Sequence, residues 1–176
     1  DPQVNFDVVI IGAGAAGLMC AIEAGKRGRS VLVLERNKTI GRKIGISGGG
    51  RCNFTNIHTS ADNFISGNPH FHKSALSRYT PEDFIRLVRR HRIAYHEKKL
   101  GQLFCDGTSQ QIINMLAKEY ETAGVEVQTD CSVTSIKKSD RLFLVNTTSG
   151  DFECGSLVIA TGGLSIPKIG ATDFGY

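Results

Sequence analysis

The residues whose spacing most plainly implies chemistry are Gly12, Gly14 and Gly17, in the run Gly12-Ala13-Gly14-Ala15-Ala16-Gly17, with Ala21 just beyond and an acid, Glu35, further on. Glycines so spaced permit a tight turn, let a backbone approach an anion closely, and let a helix pack tightly on a strand. A helix starting there offers unpaired N–H groups and the positive end of its dipole to a phosphate. The Glu35 carboxylate can accept hydrogen bonds from both hydroxyls of a ribose. It would repel a 2′-phosphate, which disfavours NADP, although neighbouring Arg36 weakens that second argument.

G-x-G-x-x-G alone is weak evidence, so the elements around it decide. Asp7–Ile11 is a short apolar run rich in Val and Ile, as in a buried parallel strand. Leu18–Lys26 has a helical apolar pattern, ended by Arg27-Gly28, and Ser30–Leu34 is a second buried strand closed by Glu35. This is a βαβ unit of about 30 residues, the setting that the dinucleotide fingerprint requires.

A second Gly-rich, basic segment follows directly: Gly41-Arg42-Lys43, then Ser47-Gly48-Gly49-Gly50-Arg51-Cys52-Asn53. An NAD domain usually proceeds straight to a crossover helix. A basic loop here suits a longer cofactor such as FAD, with Arg42 or Lys43 near the phosphates and the later residues nearer a flavin ring. The 20 glycines cluster at 12–17, 41–50 and 162–175, as if three loops converge on one extended ligand.

Beyond the second loop, Thr80-Pro81 reads as N-cap and first helical residue, with Glu82 and Asp83 in the first turn of a helix running to about His91. A second helix is expected from Thr108, with Gln111 completing a capping box, to Gly124. Val125–Asp130 reads as a strand. Val133–Lys137 and Leu142–Thr147 read as an antiparallel pair turning at Ser139-Asp140. A turn at Ser149-Gly150 is followed by a buried strand at Leu157–Ala160 that runs into Thr161-Gly162-Gly163.

The 176 residues suffice for one domain with a core; 40% are apolar and 22% charged, an ordinary globular mixture. No run approaches the ~18 apolar residues of a membrane span, and Val8–Ile11 is too short for a signal-peptide core. The chain starts at Asp1, so the native start is expected to precede it. The five cysteines form no C-x-x-C pair, which argues against zinc or a disulfide framework and for a reducing, cytoplasmic setting. The net charge of +4 permits an acidic partner without requiring one.

Ser47-Gly48-Gly49-Gly50-Arg51-Cys52-Asn53-Phe54-Thr55-Asn56 resembles the signature of the BaiN-like or YhiN-like bacterial flavoproteins. Gly101–Asp106, Ala160–Ser165 and Gly170–Tyr176 resemble the same family in the same order, so the resemblance covers essentially the whole chain. It implies an α/β fold of glutathione-reductase type: a Rossmann-like parallel sheet, an antiparallel β layer and a helical insertion at about 57–107. It also implies bound FAD. Pyrophosphate contacts would fall on Gly12, Gly14, Ala15, Ala16 and Gly17, and ribose contacts on Glu35, with Arg36 beside it. Further cofactor contacts would fall on Arg42, Lys43, Ser47, Arg51, Cys52 and Asn53, a backbone adenine contact on Val133, and a return contact on Thr161 and Gly162. Members are proposed to reduce conjugated carbon–carbon double bonds, in enone-type small molecules or in an RNA uridine, with NAD(P)H as a candidate reductant. Members are about twice this length, so residues 1–176 are expected to be the N-terminal part of the FAD domain, without the second domain and the return segment that covers the flavin. An intact catalytic site is not expected in this piece alone.

Other chemistry-bearing residues give weaker signals. Cys52 could be a redox thiol, although a cysteine without a partner is more often a packing residue. His58, His70, His72, His91 and His96 match no metal motif, and nothing fixes a substrate beside any of them. Arg86, Arg89, Arg90 and Arg92 lie opposite Phe84, Ile85 and Val88 on an amphipathic helix; that basic face is either solvated or an RNA-backbone contact. The function expected is that of an FAD-dependent oxidoreductase. The alternatives are a catalytically silent FAD-binding module recognising RNA or a protein, and an NAD-dependent dehydrogenase.

Overall fold

The computed structural model describes residues 4–46, 63–66, 80–98, 101–161 and 169–171. The described strands are β1 (Val4–Ile11), β2 (Val31–Leu34), β3 (Asn63–Ser66), β4 (Tyr95–Glu97), β5 (Leu103–Cys105), β6 (Glu126–Gln128), β7 (Val133–Ser139), β8 (Leu142–Thr147), β9 (Gly150–Ile159) and β10 (Ile169–Ala171). The described helices are α1 (Ala15–Lys26), α2 (Arg42–Ile46), α3 (Pro81–Arg90) and α4 (Gln110–Thr122).

The main sheet runs β10-β7-β8-β9-β1-β2-β6, with β3 also paired to β9. Its centre is parallel: β1 pairs β2 (Val8↔Val31 to Ile11↔Leu34) and β9 (Val4↔Phe152 to Ile11↔Ile159), and β2 pairs β6. Both faces of this centre are buried, which is why β1 and β2 read as unbroken apolar runs. Val8, Ile10, Val31 and Val33 face the helices with Leu18, Ile22, Met115 and Leu116. Val9, Ile11, Leu32 and Leu34 face the second core with Ile136, Phe143, Val145, Phe152 and Leu157. That second core is the antiparallel β layer expected from the sequence.

The hairpin turn falls one residue later than expected, at Asp140-Arg141, because Ser139 still pairs with Leu142 as the last residue of β7; Asp140 is in the left-handed region at φ 49°. The strand expected at Leu157–Ala160 is longer than its apolar run: β9 continues back to Gly150. Its first half pairs antiparallel with β8, where Phe152 and Cys154 are buried and Asp151 is exposed. Its second half pairs with β3 and is buried throughout. One strand thus changes from half-buried alternation to a fully buried run as its surroundings change.

The first and last described long helices end as expected. Gly28 (φ 81°) and Gly124 (φ 75°) follow the C-caps, and the bonds Arg29 N–H to Ala24 and Val125 N–H to Tyr120 close Schellman motifs. α3 ends the same way with Arg92 (φ 55°) in the glycine position, and Ile93 N–H donates to the Val88 carbonyl. At its start Thr80 Oγ1 accepts from Asp83 N–H (3.2 Å), and the Asp83 carboxylate accepts from Thr80 N–H (2.9 Å). The capping box expected at Thr108 and Gln111 is not formed. The N-cap is Ser109, whose backbone is already helical (φ −59°, ψ −21°), and a cap side chain reaches back from an extended residue. The strand expected over Val125–Asp130 is shorter, because Asp130 (φ 53°) leaves the extended region. The insertion, expected to be helical, contains α3 together with the β4–β5 hairpin and β3.

α1, α3 and α4 are tied at one nearly buried acid. Glu119 Oε1 accepts from Arg90 Nη2 (2.6 Å) and lies 2.7 Å from His91 Nε2, and Lys26 Nζ is 3.6 Å from Oε2. Burial pushes the Glu119 carboxyl up, but the hydrogen bonds from His91 and Arg90 and the charges of Arg90 and Lys26 outweigh it and hold the group below its ordinary value. Because the folded-state value is depressed, this contribution is complete above the unfolded value of about 4.3 and is lost as pH falls through the lower folded value. Glu119→Gln should lower stability by about 1–3 kcal/mol at pH 7 and by less at pH 3, read from urea unfolding of the whole protein. An equal loss at both pH values would contradict the assignment.

Candidate functional site

Five segments meet at the carboxyl edge of the parallel strands: the β1–α1 turn, the end of β2, the start of α2, the approach to β7 and the end of β9. Strand order reverses at β1, which has β9 on one side and β2 on the other. Ligands of open α/β sheets bind at such a switch point.

The turn is built from glycine for steric reasons. Gly12 lies at φ 109°, and a Cβ there would come within 2.5 Å of the Ala160 carbonyl oxygen. A Cβ on Gly17 would come within 1.9 Å of the Gly12 carbonyl oxygen, so α1 packs directly on the turn. Gly14 differs: it is the N-cap of α1, in extended backbone, and a Cβ there would enter open space. It has no side chain to cap the helix, and no acid occupies the first turn. The first N–H groups are therefore left for an external acceptor, and the open space at Gly14 leaves room for an anion to approach them.

Glu35 is nearly buried (9% exposed) immediately after β2. Its Oε1 accepts from Ala13 N–H at 2.9 Å. Its Oε2 accepts from Asn37 N–H (2.8 Å) and Asn37 Nδ2 (3.0 Å). Arg42 Nη1 donates to Asn37 Oδ1 (3.2 Å), and Gly41 N–H donates to the Ala13 carbonyl (2.8 Å). The two Gly-rich loops are thus joined through Asn37 and Glu35. A carboxylate has about four acceptor positions, and three are filled, so one ribose hydroxyl fits and a second requires the Asn37 side chain to swing away.

The backbone beside Glu35 is fixed from the other side. Glu35 N–H donates to Gln128 (2.8 Å), Asp130 N–H to Asn37 (2.8 Å) and Cys131 N–H to Glu35 (3.0 Å). Val133, the first residue of β7, follows two residues after Cys131. Arg36, Arg42 and Lys43 are exposed. Thr161 directly follows Ala160, whose N–H donates to Ile11 (2.9 Å). Ser47, Arg51, Cys52, Asn53 and Gly162 lie outside the described residues. Sequence reasoning missed Asn37, which with Gly41 holds the loops together through space.

The site therefore holds the residues that an ADP group needs: a glycine cradle, a helix N-terminus and a fixed carboxylate. Among the described residues no cluster of His, Cys, Asp or Glu could hold a metal ion, and no helix is long and apolar enough to cross a membrane.

The expected basic helix face divides. Arg90 pairs with Glu119 while its side chain stays 58% exposed. Arg86 meets Asp83 at 3.5 Å, Arg89 Nε donates to Tyr95 Oη at 2.9 Å, and Arg92 is exposed beyond the helix end. Buried Leu87 joins Phe84 and Val88 on the inner face, while Ile85 is half-buried.

The model of the HI0933-like protein Rossmann domain matches residues 6–176. The chain is 52% identical over 172 residues to a ribosomal RNA dihydrouridine synthase of Escherichia coli, covering 98% of this chain and 43% of that protein. It is 28% identical over 171 residues to a 3-dehydro-bile acid delta(4,6)-reductase of Clostridium scindens, covering 95% and 41%. The chain thus spans less than half the length of these relatives. Among solved structures, the amino acid oxidase NikD shares the fold at 18% identity, with a TM-score of 0.58 over 91% of this chain and 52% of that one.

Proposed function

The chain belongs to the HI0933-like family, and from that premise we propose that it is the FAD-binding part of a flavin-dependent oxidoreductase whose substrate is a uridine of ribosomal RNA. The cofactor is FAD. The observation that carries the cofactor reading is the joined pair of loops, with open space at Gly14 and a fixed carboxylate at Glu35. The substrate reading is supported by the 52% identity to a protein named for that reaction.

The N–H groups of Ala15, Ala16 and Gly17 would hold the pyrophosphate, with Gly12 and Gly14 shaping the turn. Glu35 would hold the adenosine ribose beside Arg36, and the Val133 backbone would meet the adenine. Arg42 and Lys43 would neutralise phosphate charge. Ser47, Arg51, Cys52 and Asn53 would supply further cofactor contacts, and Thr161 and Gly162 a return contact. When bound, FAD supplies hydride transfer to a conjugated carbon–carbon double bond.

The test uses the whole protein, reduced without oxygen by NAD(P)H and then given ribosomal RNA. The expected result is reoxidation of the flavin and a gain of two hydrogens on a uridine, read by mass spectrometry of the digested RNA. A second reading is favoured by the bile-acid reductase relative: reoxidation by a steroid-like enone and not by RNA would replace the RNA substrate with a small-molecule acceptor.

A further inference from the structure

Asn37 stands between the two loops of the cradle and holds both. Its Nδ2 donates to Glu35 Oε2 at 3.0 Å, and its Oδ1 accepts from Arg42 Nη1 at 3.2 Å. The main chain of Asn37 is fixed independently of these two bonds. Its N–H donates to Glu35 Oε2 at 2.8 Å, and its carbonyl accepts from Asp130 N–H at 2.8 Å. The side chain can therefore turn about its own torsions while the main chain stays in place. It is half-buried, so the amide can turn out to water.

That one rotation breaks both side-chain bonds. On Glu35 a ribose hydroxyl would replace an amide N–H at a carboxylate oxygen, one charge-assisted hydrogen bond for another. For Arg42 the exchange is unequal. Its exposed guanidinium is held by a neutral amide oxygen at a long 3.2 Å. Gly41 N–H donates to the Ala13 carbonyl at 2.8 Å, which brings together the main chains of the next residues, Arg42 and Gly14. A pyrophosphate beside Gly14 would offer the guanidinium charged oxygens in place of the amide, and the bonds to phosphate are the stronger kind.

We propose that Asn37 is a positioning residue that couples the two ends of the ADP group. A ribose hydroxyl displaces its amide from Glu35 Oε2, the side chain turns away, and Arg42, released from Oδ1, moves onto the pyrophosphate. This rests on the cofactor placement proposed above and goes beyond it: the arginine contact becomes conditional on the ribose hydroxyls.

The test uses the whole protein stripped of FAD and titrated with ADP and with dideoxy-ADP, which keeps the phosphates and lacks both ribose hydroxyls. Arg42→Ala should weaken ADP about tenfold, the loss of one charge-assisted hydrogen bond. It should leave dideoxy-ADP within about twofold, because without a hydroxyl Asn37 keeps the arginine. Asn37→Ala frees the arginine at all times, so in that background Arg42→Ala should weaken both nucleotides about tenfold. An Asn37 that only shapes the loop would leave the Arg42 effect independent of the hydroxyls. Arg42 is exposed, so its truncation leaves the fold intact, and the first comparison decides even if Asn37→Ala does not fold. An equal loss for both nucleotides in the Arg42→Ala protein, or no loss for either, would overturn the coupling and leave the cofactor site standing. Failure of the unaltered protein to bind ADP would overturn both.

Discussion

Gly17→Ala should abolish flavin binding by the whole protein and destabilise it by about 3 kcal/mol, the top of the usual overpacking range. The added methyl would stand 1.9 Å from the Gly12 carbonyl oxygen and 3.0 Å from its carbon. Neither atom can yield without moving the turn, because Gly12 N–H is held by the Leu34 carbonyl at 2.8 Å. α1 would have to lift from β1, opening the core around Leu18 and Ile10. The measurement is thermal unfolding together with flavin content. An unchanged midpoint and full flavin would refute the close helix–turn packing.

Glu35→Ala should weaken FAD retention by about 1–3 kcal/mol, from the loss of charge-assisted hydrogen bonds. Two effects add. The ribose loses its acceptor, and Ala13 N–H loses the partner that fixes the turn at 2.9 Å. Glu35→Gln should fall between the two proteins, because the amide oxygen keeps one acceptor but its NH₂ group meets donors from Asn37. The quantity to measure is the FAD dissociation constant of the stripped whole protein. Equal affinities for all three would remove Glu35 from the cofactor site.

The part of this site that is local in sequence was legible. The glycine spacing, the flanking apolar runs and Glu35 lie within one βαβ unit, and each follows from backbone sterics or burial. The antiparallel pair β7–β8 was legible for the same reason, since Phe143, Val145 and their turn announce a hairpin. What was not legible depends on contacts distant in the chain or on very short elements. Asn37 is an unremarkable loop residue until its two N–H donors are seen on Glu35. The first half of β9 alternates, and only its pairing with β8 makes it one strand with the apolar run that follows. Strands β4 and β5 have three residues each, too few for a period to show. The Arg90 ion pair was hidden because its partner, Glu119, is on another helix.

The central claim is that the open space at Gly14 receives the pyrophosphate of FAD. Gly14 is in extended backbone, and a side chain there meets nothing within 4 Å, so the fold accepts substitution and the ligand does not. The direct measurement is the flavin content of the purified whole protein beside its Gly14→Val variant. The account predicts that the unaltered protein releases FAD on denaturation, and that the variant carries almost none while the flavin-free forms of both melt at the same temperature. A variant that retains its full complement of FAD would contradict it.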